Sequence, residues 1–188
     1  ANATVRVARA ALHFWEEPPI SGEAGSGAIF FSGCPLRCVF CQNHDISSGN
    51  FGHDVTVARL AMMMLELRDK GALNINLVTP LHFAPQVREA VLMARDAGLD
   101  LPIVCNTSGY ERADVVHRMA DVVDVWLADF KYASAGLAAT LSGARDYPDV
   151  AAEALATMVD SVRTRGTRDL ADDGSMRAGV IVRHLVLP

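Results

Sequence analysis

Ala28-Ile29-Phe30-Phe31-Ser32-Gly33-Cys34-Pro35-Leu36-Arg37-Cys38-Val39-Phe40-Cys41-Gln42-Asn43 runs from a short apolar stretch straight into a C-x3-C-x2-C loop. The apolar residues read as a buried strand. Three soft thiolates on one tight loop make a metal site with a ligand missing. Four would close a tetrahedral site or hold an ordinary iron-sulfur cluster, whereas three leave one metal position open to water or substrate. An open position implies chemistry as well as structure.

Outward from this stretch, strand-like runs alternate with helical ones. Ala28 to Phe31, Leu73 to Val78, Ile103 to Cys105, Val122 to Ala128 and Gly179 to Leu187 are short, apolar and rich in β-branched and aromatic residues, as buried parallel strands are. Val57, Leu60, Ala61, Met64 and Leu67 recur at i, i+3, i+4, i+7 spacing, and Val87, Ala90, Val91 and Ala94 repeat it. Met62-Met63-Met64 reads as core and flank of the first of these helices. Ser108-Gly109-Tyr110-Glu111 matches a capping box opening a helix to Met119. A further helix is predicted over Pro148 to Val162, followed by a polar loop containing Arg163, Arg165, Asp172, Asp173 and Gly174. This alternation predicts an α/β fold with a parallel sheet, doubly wound or rolled into a barrel, with ligands at the C-terminal ends of the strands.

Composition narrows the function. The 188 residues are 51% hydrophobic and carry a formal charge of -5, enough for one domain with a real core. No Lys/Arg-rich block is present, so nucleic acid is not an expected partner. No apolar run approaches the roughly 18 residues that span a bilayer, and Ala1 to Ala11 lack a signal-peptide core. A cytoplasmic location is expected, where bunched cysteines stay reduced and available to metal. Cys105, alone in a strand, reads as inert packing. Gly22, Gly25 and Gly27 lack the Gly-Lys-Ser/Thr that would make them a phosphate loop.

The strand ends supply the remaining candidates. The second predicted strand ends in Thr79-Pro80-Leu81-His82, the third in Asn106-Thr107-Ser108-Gly109, a set of small donors and acceptors. The fourth ends in Asp129-Phe130-Lys131, whose i, i+2 spacing puts Asp129 and Lys131 on one strand face, suited to gripping a zwitterion. In the fifth, Arg183 and His184 point to opposite faces, so only one of them faces the cavity.

At these residues the chain resembles a known family. Cys34, Cys38 and Cys41 with Phe40, Gln42 and Asn43 are similar to the motif of the radical S-adenosylmethionine (SAM) superfamily. Glu16-Glu17-Pro18-Pro19-Ile20-Ser21-Gly22, Asn106 to Tyr110, Asp129 to Tyr132 and Arg183 to Pro188 resemble pyruvate-formate-lyase-activating-enzyme-like iron-sulfur proteins. The resemblance implies a partial (β/α)6 barrel with parallel strands, a lead-in over 1–26 and a core domain over 27–188. It implies a [4Fe-4S] cluster on Cys34, Cys38 and Cys41, with SAM chelating the fourth iron through its amino and carboxylate groups. One electron from a flavodoxin or ferredoxin type donor would cleave SAM to methionine and a 5′-deoxyadenosyl radical, which abstracts hydrogen from a substrate. A protein glycine is one such substrate. By the same resemblance Phe40 and Gln42 lie against the adenosyl portion, Asp129 and Lys131 near the methionyl or ribose groups, and His184 near the ribose. Asn106 and Ser108 are further SAM-contact candidates.

Two departures accompany the resemblance. The Gly-Gly-Glu that many members carry after the second strand is replaced by Thr79-Pro80-Leu81-His82, leaving Thr79 or His82 as substitutes. With five strands predicted, the chain is expected to lack the family's last strand. Each assignment also has a plain competitor. Cys34, Cys38, Cys41 and His44 together form a possible zinc set, C-x3-C-x2-C-x2-H, and an electron-carrying cluster without SAM chemistry would use the same thiolates. Asn106 and Ser108 can serve as turn and helix cap, Asp129 and Lys131 as a structural ion pair, and His184 as a hydrogen-bonded core histidine.

Overall fold

The computed structural model describes residues 4–163 and 170–186. Arg165 of the expected polar loop, and Leu187 and Pro188 at the end of the expected last strand, lie outside the described residues. Strands β1 (Thr4–His13), β2 (Ser26–Phe31), β3 (His53–Thr56), β4 (Ile75–Val78), β5 (Ile103–Thr107), β6 (Val125–Asp129) and β7 (Gly179–Arg183) form one sheet in the order β3-β1-β2-β4-β5-β6-β7. From β2 to β7 every neighbour is parallel, and order in space follows order in the chain. A doubly wound sheet reverses its winding; this one never does, so the parallel part is an open, partial (β/α) barrel.

All five predicted strands are present. Two more lie in the N-terminal part: β1 pairs antiparallel with both β2 and β3. Sequence reading passed over them because β1 is rich in Ala and Arg and β3 is mostly exposed, and neither reads as a buried parallel strand. Residues assigned to the lead-in thus include a ten-residue strand of the same sheet.

Helices α1 (Pro18–Ser21), α2 (His44–Ser47), α3 (Val57–Asp69), α4 (Ala84–Asp96), α5 (Ala113–Met119), α6 (Ala135–Ser142) and α7 (Tyr147–Arg163) connect the strands. The apolar stripes of α3, α4, α5 and α7 close over one sheet face, where Leu60, Met64, Val87, Val91, Val116 and Met158 meet Phe31, Leu77, Ile103, Cys105 and Trp126. Each such side chain contributes roughly 1.5 to 3 kcal/mol by leaving water. Met64 is buried and Met62 exposed, as an amphipathic helix requires. On the opposite sheet face, Val104, Val125 and Leu127 pack under Ile20 of α1 and Met176. The lead-in therefore packs on the sheet face opposite α3, α4, α5 and α7.

The expected capping box is not formed. Helix α5 starts at Ala113, with Arg112 at its N-cap and no side-chain cap. The Ser108 and Thr107 hydroxyls instead accept the Tyr110 and Gly109 amides, closing a turn at the strand end, and Thr107 donates to the Glu111 carboxyl. These local bonds compete with helix initiation and win. Sequence reading also missed α6, whose first turn is capped by Ser134.

Candidate functional site

Beyond β2 the chain passes through Ser32 and Gly33 into the cysteine loop. Gly33 has a φ of +95°, and a Cβ there would meet the His82 ring at 3.3 Å, so glycine suits this turn. His82 donates from Nε2 to the Ser32 carbonyl at 2.8 Å; burial lowers its pKa, and that bond acts in the opposite direction. The far side of the loop rests on α6, where the Ser142 and Leu141 carbonyls accept the Arg37 and Val39 amides at 3.0 and 2.9 Å. Leu36 is buried with Tyr132 and Tyr147, and Cys34, Cys38 and Phe40 pack against that cluster.

All three thiols are free and half-buried. Cys38 Sγ accepts from Ser142 Oγ at 2.9 Å, and Cys41 Sγ lies 3.3 Å from Ser47 Oγ. Burial pushes the Cys34 thiol up, and the neighbouring Cys38 and Cys41 push it further. Among the described residues, no three His, Cys, Asp or Glu side chains are grouped as they would be around a single ion. His44 is exposed in the first turn of α2. A polynuclear cluster asks for separate thiolates, each for its own iron, and three spaced soft donors on a clamped loop fit that demand.

The C-terminal ends of β5, β6 and β7 meet in a charged network. Arg183 donates to Asp129 Oδ1 at 2.8 Å and to Asn106 Oδ1 at 2.7 Å, and reaches Glu16 and Glu17 of the lead-in at 3.4 and 3.7 Å. Lys131 Nζ pairs with Asp129 Oδ2 at 2.5 Å. Asn106 Nδ2 donates to Glu16 Oε1 at 3.3 Å. Burial raises the Glu16 pKa against the lowering effect of Arg183. Asn76 on β4 is fully buried beside Glu16, and its side chain helps to lower the Glu16 pKa.

Tyr147, also fully buried, ties two of these ends together. Its hydroxyl accepts the Lys131 amide at 2.9 Å and lies 2.8 and 3.0 Å from the Ser108 and Asp129 carbonyls, between which its one proton is shared. A Cβ on Gly109, whose φ is +77°, would stand 2.1 Å from the Asp129 carbonyl oxygen, so β5 and β6 approach this closely only over glycine. Thr79 adopts a φ of 56°, a rare conformation for a β-branched residue, and its amide donates to the Asn106 carbonyl at 2.8 Å.

The family model of the radical SAM superfamily matches residues 28–163, from β2 through the cysteine loop to the end of α7. The chain belongs to the radical SAM superfamily. A protein of Methanocaldococcus jannaschii described as "Uncharacterized protein MJ0674" is 29% identical over 188 residues, covering 94% of this chain and 48% of that protein. The chain thus spans about half the length of the curated relative it matches.

In this radical SAM chain the expected site residues fall into two groups, with Gln42 and His184 each standing apart. Cys34, Cys38 and Phe40 share the loop and its packing, and Cys41 on the same loop lies beside Ser47 instead. Asn106, Asp129 and Lys131 meet in the strand-end network, and Ser108 joins them through Tyr147. Gln42 is exposed and lines an open hollow with His44 and Phe51. His184 is exposed and hydrogen-bonds the Phe130 carbonyl at 2.6 Å, while Arg183 is the one of the two that enters the network. Reading residues alone assigned no role to Glu16, Glu17, Arg183, Ser142 or Tyr147. Strand alternation allowed for Arg183; nothing in local spacing marks the others.

No helix among the described residues is long and apolar enough to cross a membrane.

Proposed function

We propose that Cys34, Cys38 and Cys41 hold a [4Fe-4S] cluster whose fourth iron is left for SAM, and that the protein is a radical SAM oxidoreductase. The observation that carries this reading is the presence of three free, half-buried thiols on a clamped loop at the C-terminal end of β2, inside the span matched by the superfamily. When bound, the cluster and SAM supply a one-electron cleavage to methionine and a 5′-deoxyadenosyl radical, which takes a hydrogen atom from substrate. The chain's own residues serve that chemistry by position. Leu36, Phe40, Tyr132 and Tyr147 shield one side of the loop from water. Asn106, Asp129, Lys131 and Arg183 offer paired charges and an amide to a zwitterionic cofactor.

The finer reading is an activating-enzyme-like reaction on a protein glycine, with the electron coming from a flavodoxin or ferredoxin type donor. It is supported by the sequence resemblance at Glu16 to Gly22 and Arg183 to Pro188. A cytoplasmic location suits the free thiols.

Anaerobic reconstitution with iron and sulfide, followed by reduction in the presence of SAM, tests the proposal. A brown protein releasing 5′-deoxyadenosine is expected, and Cys38→Ala should lose the cluster. A colourless zinc protein without cleavage product overturns the enzyme reading, and a full cluster on Cys38→Ala overturns the ligand assignment.

A further inference from the structure

The clamp between α6 and the cysteine loop contains one bond that reaches a thiol. Ser142, 2% exposed, gives its carbonyl to the Arg37 amide at 3.0 Å and its hydroxyl to Cys38 Sγ at 2.9 Å. The Tyr132 hydroxyl lies 2.7 Å from the same Ser142 Oγ, and Tyr132 is itself buried. A serine hydroxyl has one proton. With that proton directed at Cys38, Ser142 Oγ accepts from Tyr132, and the chain runs Tyr132 to Ser142 to Cys38. Cys41 is served differently, since its neighbour Ser47 can also donate to the His44 carbonyl at 3.4 Å.

We propose that Ser142, backed by Tyr132, raises the reduction potential of the cluster by donating a hydrogen bond to the Cys38 thiolate. The inference rests on the cluster proposed above. One electron enters on reduction, no atom is transferred, and the electron makes the ligating sulfur a better acceptor. An O–H···S bond therefore stabilises the reduced form more than the oxidised one. The second hydroxyl polarises the first and strengthens the effect. Ser142 acts here as a positioning residue for charge on the cluster.

The substitution Ser142→Ala removes the hydroxyl while leaving both backbone clamps of α6 in place. In a redox titration of the reconstituted protein, followed by electron paramagnetic resonance, its equilibrium constant for reduction should fall about tenfold. For one electron that is a potential about 59 mV more negative. Tyr132→Phe should shift the potential in the same direction by less, and the double variant should go no further than Ser142→Ala. A fully loaded Ser142→Ala protein within twofold of the wild-type constant overturns the inference. If Ser142→Ala loads poorly, Tyr132→Phe decides, and an unchanged potential there overturns it. Failure of the wild type to bind a cluster or release 5′-deoxyadenosine would instead sink the proposed function.

Discussion

Glu111 shows how strongly one side chain is shaped by its surroundings. Burial raises its pKa from an ordinary 4.5 to about 7, against the opposing hydrogen bond from Thr107. Between those two values the folded chain keeps a proton that the unfolded chain has released. Stability from this group is therefore complete below pH 4.5, falls as pH rises towards 7, and levels off above it. The full span is about 3 kcal/mol. Urea midpoints of the metal-free protein should drop between pH 5 and pH 8. Glu111→Gln, which keeps an oxygen for Thr107, should flatten that slope; parallel profiles for the two proteins would refute it. At this scale the sequence was only half legible. Glu111 looked like the last member of a capping box, yet what governs it is a strand-end turn and burial, neither of which follows from the spacing of four residues.

Among the elements, α7 does more than cover the sheet. Its first residue, Tyr147, sends a hydroxyl into the gap between the ends of β5 and β6 and satisfies the Lys131 amide. Replacing Tyr147 with Phe leaves that amide without its acceptor, a loss of about 1 to 3 kcal/mol. Thermal unfolding should report that loss; if Ser108, Asp129 and Lys131 contact SAM as proposed, the reconstituted protein should also bind SAM more weakly, because the three are no longer held in register. Unchanged stability and affinity would show that the hydroxyl bridge is incidental. The helices α3, α4 and α7 were readable because their apolar residues repeat with the helical period and bury one stripe. Strands β2, β4, β5 and β6 were readable because both faces are largely covered, and the edge strand β7 because Val180, Ile181 and Val182 form a β-branched run. The antiparallel pair β1 and β3 carries weaker patterns, and it was found by its partners in the sheet.

Over the whole molecule, the N-terminal arm and the parallel sheet act as one unit. Ile20 is fully buried against Val104, Val125 and Leu127, side chains supplied by two strands from much later in the chain. Ile20→Ala should cost about 2 to 5 kcal/mol, as truncations in a closed core do. Denaturant unfolding should still show a single transition; a separate early phase would mean that the arm folds independently. The cysteine loop, the alternation of strands and helices and the placing of functional groups after strands were all legible in the sequence. They depend on spacing within a few residues and on the periods of helix and strand. The contacts of Arg183 with Glu16, 167 residues apart, and of Ser142 with Cys38, 104 residues apart, were decided only by folding. Periodicity states which face a side chain takes, but the distant segment that covers that face is chosen by the packing of the whole chain.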